Sequence, residues 1–146
     1  MVPTPAGYSG TPLARKLGLV DGMRVAVRNA PADLAALLAP LPPGVDFVAP
    51  EAADIALFHL FHVERAALEA DLHALRPRVG QGEPVWVSWP KRSARVATDL
   101  TEDVIRAVAL PLGYVDIKVC AVSAVWSGLK LVVRRAQRTK APPRRR

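Results

Sequence analysis

Apolar and polar positions along the chain change repeatedly between a strand pattern and a helix pattern. Short apolar or alternating runs predict strands at residues 23–28, 45–48, 55–61, 84–89, 115–122 and 129–134. Between them, apolar residues at helical spacing predict helices at 32–39, 63–78 and 100–112. A further short helix is predicted near the start, with Thr11 as its N-cap and Pro12 as its first residue.

The arrangement of these elements predicts the fold class. The segment 55–61 is almost wholly apolar, which is typical of a strand buried on both faces of a parallel sheet. The last two strands are joined by a turn too short for a helix, so they form an antiparallel hairpin. We therefore expect one domain over residues 11–135, a three-layer α/β/α sandwich with a mostly parallel six-stranded sheet in the order 2-1-3-4-6-5.

The two ends of the chain differ in composition from this domain. Residues 1–10 are rich in Pro and Gly and are expected to be extended. Seven of the 20 basic residues and no acidic residue lie in 134–146, so positions 1–133 carry 13 charges of each sign. Residues 136–146 have two prolines and no apolar periodicity, which predicts a disordered basic tail. Its arginines can hold nucleic-acid phosphates weakly, while a merely solubilising tail is the alternative; the run is Arg144, Arg145 and Arg146.

Cysteine content and the N-terminus bear on location. The single cysteine, Cys120, permits no internal disulfide, and residues 1–5 have neither the basic start nor the apolar stretch of a signal peptide. No apolar run approaches the roughly 18 residues that span a bilayer. We expect a cytoplasmic protein without membrane contact.

Several segments resemble known proteins. Residues 53–62, 72–77 and 82–88 are similar to the fourth strand, following helix and fifth strand of S-adenosylmethionine-dependent methyltransferases, and residues 113–115 and 129–133 resemble the sixth and seventh strands. The resemblance implies a Rossmann-like fold.

A second resemblance runs from Gly7 to about Arg135. It is carried by Gly7-Tyr8-Ser9-Gly10-Thr11-Pro12-Leu13, Trp86-Val87-Ser88-Trp89-Pro90-Lys91, Thr98-Asp99-Leu100-Thr101-Glu102-Asp103-Val104 and the hairpin segments 118–122 and 126–130. These segments closely resemble an actinobacterial type of bacterial family known only as domain-of-unknown-function family 3052. That resemblance implies a fold and no chemistry.

The turn after the first strand departs from the methyltransferase pattern. Nucleotide-binding folds place glycines there so that backbone amides approach the cofactor, whereas this turn is Arg28-Asn29-Ala30-Pro31. We also expect one strand–helix unit of the methyltransferase pattern to be missing between residues 48 and 55. Glu51 stands where a ribose-binding carboxylate would lie, although an exposed loop glutamate is the simpler interpretation. We therefore expect no cofactor on a degenerate methyltransferase-like scaffold.

The preferred candidate site is a basic loop after the fourth predicted strand, 84–89. Trp89 is followed by Lys91, Arg92 and Arg95, which offers three cations at a strand's carboxyl end, where open α/β sheets bind ligands. The alternative is a solvated basic loop. A second candidate anion site lies at the predicted first helix, where simple capping by Thr11 is the alternative; its residues are Tyr8, Ser9, Gly10 and Thr11.

Other polar pairs favour structural roles. Asp99 and Glu102 precede an apolar helical run and are expected to form a capping box there rather than an acid–base pair. His59 and His62 lie at a strand end without the further ligands of a metal site.

Cys120 is placed by strand alternation on one face with Asp116 and Lys118. A half-buried, inert thiol is preferred to a reactive one.

These observations favour a non-catalytic or regulatory protein that binds a small anion or a protein partner near Trp89, Lys91 and Arg92, with no catalytic residue and no metal. A divergent S-adenosylmethionine-dependent methyltransferase is the alternative. Weak nucleic-acid binding through the tail is the second alternative.

Overall fold

The computed structural model describes residues 11–139, and one six-stranded sheet organises them. The strands are β1 (Arg24–Arg28), β2 (Asp46–Phe47), β3 (Leu57–Phe61), β4 (Val85–Pro90), β5 (Tyr114–Ala121) and β6 (Trp126–Val133). Their order is β2-β1-β3-β4-β6-β5, and β6 runs in the direction opposite to the other five. The predicted strand order, mostly parallel sheet and closing hairpin are confirmed.

Within residues 11–139, four α-helices cover the sheet: α1 (Leu13–Leu17), α2 (Leu34–Leu38), α3 (Arg65–Leu75) and α4 (Glu102–Ala109). The helices α1 and α2 pack on one face of the sheet, and α3 and α4 pack on the other. Trp86 of β4 donates to the Leu17 carbonyl on the first face, and the Tyr114 hydroxyl donates to the Leu72 carbonyl on the second. These contacts build the predicted three-layer sandwich.

Strand β3 is buried along its whole length, as its apolar sequence predicts. Leu57 and Phe61 belong to the apolar cluster under α1 and α2, whereas Phe58 and Leu60 belong to the cluster under α3 and α4. Residues 48–56 connect β2 to β3 with no helix and no further strand. The strand–helix unit that was expected to be missing here is therefore absent.

The predicted helix starts are wrong at α1 and α2. Helix α1 begins at Leu13, because Pro12 has an extended ψ of 142° and acts as the N-cap, and Thr11 makes no capping bond. Helix α2 begins only at Leu34, not directly after Pro31, with Asp33 at its N-cap. Asn29, which precedes this helix, adopts a left-handed φ of 59°, and its side chain bonds the Phe61 carbonyl.

The predicted capping box at α4 is also wrong. The Asp99 carboxylate accepts from the Arg65 backbone amide at 2.7 Å and so caps α3. Thr101 caps α4 by accepting from the Val104 amide at 3.1 Å. Glu102 pairs with Arg106 in the same helix. Asp99 therefore caps a helix that is distant in sequence, α3, instead of the helix that follows it, α4.

A β-bulge in β5 overturns the predicted shared face. Between Asp116 and Lys118 the register shifts, so Asp116 faces α4 and bonds Arg106, whereas the Lys118 ammonium donates to the Lys16 carbonyl beside α1. Cys120 packs against the α1 side of the core, and burial raises the pKa of its thiol. This environment favours an unreactive thiol.

The predicted flanking segments fall largely beyond the described residues, which exclude 1–10 and 140–146. Tyr8, Ser9 and Gly10 therefore lie outside them, as does the final run Arg144, Arg145 and Arg146. Residues 136–139, assigned to the tail by the sequence analysis, pack against the domain, where the Thr139 amide donates to the Gly80 carbonyl at 2.8 Å.

Candidate anion-binding cleft

The topological switch point of this sheet lies between β1 and β3, because the chain passes from β1 outward to β2 and returns on the other side of β1 to β3. Ligands of open α/β sheets bind in the crevice at this point, outside the carboxyl ends of the strands. Here the Asn29 side-chain amide donates to the Phe61 carbonyl at 3.0 Å and joins the ends of the two strands. The crevice is thus bridged by the protein's own side chain.

An ionic network also ties α3 to this end of the sheet. The Asp71 carboxylate of α3 accepts from His62 Nε2 at 2.6 Å and lies 3.3 Å from Arg28 Nε. His62 is buried directly after β3, and Arg28 is the last residue of β1. This network was not predicted from the sequence, where the only sign of it is an acidic residue nine positions after a histidine.

These contacts replace features that a nucleotide needs. The turn 28–31 contains no glycine, Pro31 has no amide hydrogen, and the Asn29 amide is already bonded across the crevice. Glu51 is exposed in the loop after β2, consistent with an ordinary surface glutamate. The side chains of Arg28, Asn29, His62 and Asp71 at the switch point therefore contact one another or a backbone carbonyl.

A serine–histidine pair lies inside the sheet rather than at a surface. His59 Nε2 and Ser88 Oγ are 2.7 Å apart, and both residues are buried. Burial lowers the pKa of His59 from 6.5 to about 3, so the ring is neutral at physiological pH. The ring stacks on Phe61 at 4.2 Å between centroids. Both groups are shielded from solvent, so each serves as the other's hydrogen-bond partner in the core. The pair does not form a nucleophilic site.

A surface cavity opens between the carboxyl end of β4 and the start of α4. It has a volume of about 500 Å³. Its lining combines apolar, hydroxyl and charged side chains: Trp89, Pro90, Lys91, Arg92, Val96, Thr98, Leu100, Thr101 and Glu102. We call this cavity the β4–α4 cleft.

The structure brings some of the predicted site residues together at this cleft. Trp89, 8% exposed, forms part of its wall, and Lys91 and Arg92 lie on its rim. Arg95 is exposed in a left-handed conformation with φ 55° and does not line the cleft. Thr11 lies ahead of α1 and is not a lining residue either. The sequence analysis missed Thr98 and Thr101, whose capping positions were the available signal.

The rim of the cleft has an excess of positive charge. Neither Lys91 nor Arg92 forms an ion pair with any residue in 11–139. The Lys91 backbone amide donates to the Val125 carbonyl at 2.7 Å, which fixes the start of the loop on the hairpin turn. The lining carboxylate, Glu102, is paired with Arg106, whose pKa is raised by hydrogen bonds with Asp116 and Glu102. The arrangement can accept an anion without displacing an internal partner.

A smaller cavity of about 260 Å³ lies at the opposite end of the sheet. It is lined by Arg78 together with the acidic residues Asp54 and Glu83. Arg78 already donates to the carbonyls of Pro50 and Ala52, so this cavity has no free cation of comparable kind.

Residues 11–139 contain no group of three or more His, Cys, Asp or Glu side chains that could hold a metal ion. In the same range no helix has the length and apolar character needed to cross a membrane.

Comparison with known proteins shows the fold. No protein-family model and no curated protein matches the chain. A SAM dependent methyltransferase from Aquifex aeolicus is similar with a TM-score of 0.57 and 12% identity, over 82% of this chain and 86% of that one. Magnesium protoporphyrin IX methyltransferase from Synechocystis has a TM-score of 0.52 and 11% identity, over 83% and 74%.

A possible exported protein from Bordetella parapertussis has a TM-score of 0.53 and 14% identity. The alignment covers 83% of this chain and 65% of that protein, so the chain spans just under two thirds of its length. At such identities the likeness establishes a methyltransferase-like Rossmann fold and carries no information about activity.

Proposed function

We propose that the protein is a non-catalytic, regulatory binding protein that holds a small organic anion in the β4–α4 cleft. The observation that carries the proposal is the pair Lys91 and Arg92, two cations on one rim without a carboxylate partner in residues 11–139. Below them Trp89 and Leu100 provide an apolar wall. A carboxylate or phosphate group attached to an apolar or aromatic body fits this combination.

The contacts at the switch point also support a binding protein that is not a methyltransferase. A methyltransferase of this fold would bind its cofactor there, where the Asn29–Phe61 bond joins β1 to β3 and Asp71 engages Arg28 and His62. Cofactor binding would have to break these contacts. A divergent S-adenosylmethionine-dependent methyltransferase is therefore the second candidate, favoured only by the shared fold.

Family and location form part of the proposal. We assign the chain to the actinobacterial family of unknown function on the segments 7–13, 86–91 and 98–104, and we place it in the cytoplasm. Support for the location is the lone Cys120, half-buried in β5 and unable to form an internal disulfide.

The test is a thermal-shift screen of the full chain against phosphorylated metabolites, dicarboxylates and aromatic carboxylates. A true ligand raises the melting temperature of wild type and loses that effect in the Lys91→Ala, Arg92→Ala double variant. The matched control is Arg95→Ala, which removes a cation from the same loop but outside the cleft lining.

Two outcomes with the variants contradict the proposal, and one outcome of the ligand screen does so as well. One is a ligand that stabilises wild type and the double variant equally. The other is equal loss of the shift in Arg95→Ala, which would indicate general attraction to a charged loop rather than binding in the cleft. A hit that carries no anionic group would also place the site elsewhere.

A further inference from the structure

Residues 134–139, here called the strap, lie in a track formed by three glycines from two loops, Gly80 and Gly82 before β4 and Gly113 before β5. A Cβ atom at Gly80 would stand 2.9 Å from Thr139 Oγ1, one at Gly82 2.9 Å from Arg138 Cζ, and one at Gly113 2.5 Å from Gln137 Oε1. Each glycine therefore leaves space that a strap side chain fills. The strap is a packed part of the domain.

Backbone hydrogen bonds hold both ends of the strap. The Arg134 amide donates to the Gly113 carbonyl at 2.9 Å, and the Thr139 amide donates to the Gly80 carbonyl at 2.8 Å. These bonds place the strap at the amino ends of β3 and β4, because the antiparallel strand β6 ends there. The β4–α4 cleft lies at the other end of the sheet.

Four arginines gather around this track, and we call them the arginine cluster: Arg76, Arg134, Arg135 and Arg138. Arg76 donates to the Leu112 carbonyl beside Gly113, and Arg138 donates to the Val133 carbonyl across the strap. Arg134, Arg135 and Arg138 are exposed. None of the four forms an ion pair within the described range, so their charges are uncompensated.

We propose that the arginine cluster binds the phosphate backbone of a nucleic acid, a function separate from anion binding in the β4–α4 cleft. Guanidinium groups bind phosphates through paired hydrogen bonds, and six of the seven cations in 134–146 are arginines. The cluster thus presents several charges for an extended polyanion, and Arg76 and Arg138 are held in place by their bonds to backbone carbonyls.

The composition of this surface favours nucleic acid over an anionic membrane. Residues 134–146 contain no aromatic residue and no Leu, Ile, Val or Met, the side chains that enter a lipid interface. Gln137 and Thr139 of the strap offer hydrogen-bonding groups instead, which are common in phosphate contacts.

The experiment measures binding of the full chain to a fluorescein-labelled, random-sequence DNA duplex of about 20 base pairs by anisotropy, at several salt concentrations between about 50 and 200 mM. Wild type is expected to bind with an affinity that falls steeply with salt. The Arg134→Ser, Arg135→Ser variant is expected to lose about tenfold in affinity at low salt and to show a smaller slope, by about one to two. Both side chains are exposed and make no internal hydrogen bond, so the fold is retained, as an unchanged melting temperature will verify.

Two control variants of the full chain sharpen the test. Lys91→Ala, Arg92→Ala is expected to bind DNA as wild type does, because the cleft lies at the opposite end of the sheet. Arg144→Ser, Arg145→Ser, Arg146→Ser is expected to weaken binding without abolishing it.

Three results would overturn the proposal. The first is wild-type binding that is absent or insensitive to salt. The second is an unchanged affinity in the Arg134→Ser, Arg135→Ser variant while the triple variant abolishes binding, because the last arginines would then act alone. The third is tighter binding to phosphatidylserine vesicles than to DNA. None of these results depends on the thermal-shift screen, so the two proposals fail separately.

Discussion

His59 shows how a single polar residue is accommodated inside this sheet. Its ring is buried on β3, bonds Ser88 on β4 and is held neutral because burial lowers its pKa to about 3. A histidine bonded to a serine resembles part of a catalytic site, yet both residues are buried from solvent. Its consequence is a pH-dependent stability rather than a reaction.

The first prediction concerns acid stability. Below pH 6.5 the unfolded chain binds a proton at His59 that the folded chain excludes until about pH 3. This group therefore lowers the free energy of unfolding by about 1.4 kcal/mol for each pH unit of acidification within that window. Urea denaturation of wild type and His59→Gln at several pH values measures it. The advantage of wild type over the variant should shrink as the pH falls, and a constant difference would contradict the account.

Asn29 carries the second prediction. Its side chain bridges β1 and β3, and its backbone adopts a left-handed φ of 59° that most residues avoid. Asn29→Ala should destabilise the protein by about 2 kcal/mol, because it loses the hydrogen bond and adds backbone strain. Asn29→Gly tolerates the backbone conformation and should lose only about 1 kcal/mol. Equal losses in chemical denaturation would show that the backbone conformation does not matter.

At the scale of elements, the helix termini depend on contacts between distant segments. Asp99 caps α3 although it directly precedes the segment leading to α4, and the Thr98 hydroxyl donates to the Val63 carbonyl at the start of the same helix. The loop before α4 thus anchors the N-terminus of α3 as well as the wall of the β4–α4 cleft.

The third prediction separates the two caps. Asp99→Ala and Thr101→Ala should each destabilise the protein by about 1 kcal/mol. In hydrogen exchange, Asp99→Ala should lose amide protection in the first turn of α3, and Thr101→Ala in the first turn of α4. Loss of protection at α4 in the Asp99→Ala variant would contradict this prediction, because it would show that Asp99 caps α4.

The strand order was predictable because strand and helix periodicities alternate clearly and the short connection between β5 and β6 permits only a hairpin. The caps were not, because Asp99 and Arg65 are far apart in sequence and meet only in the fold. The bulge at Asp116 and Lys118 likewise depends on pairing with β6. Of the candidate site, the sequence indicated Trp89, Lys91 and Arg92 from their place after a strand, but not Thr98, Thr101 or the cavity between β4 and α4.

At the scale of the whole molecule, the fold places three regions apart: the β4–α4 cleft, the arginine cluster and the switch point. The charge pattern of the sequence does not distinguish them. The unpaired cations of the β4–α4 cleft lie at the carboxyl end of β4, and the arginine cluster lies at the amino end of the sheet. Between β1 and β3 the switch point, which serves cofactors in proteins of similar fold, is bridged by Asn29 and by the Asp71 network. We propose that ligand binding is thereby moved away from the crevice that this fold usually uses.

Isothermal titration of the full chain with S-adenosylmethionine tests this displacement most directly. The account predicts no heat of binding, because the turn 28–31 lacks glycine and the Asn29–Phe61 bond spans the crevice. Asn29→Gly should behave in the same way, since the Asp71 network with Arg28 and His62 remains. Saturable binding of wild type with micromolar affinity would contradict the account and favour a divergent methyltransferase.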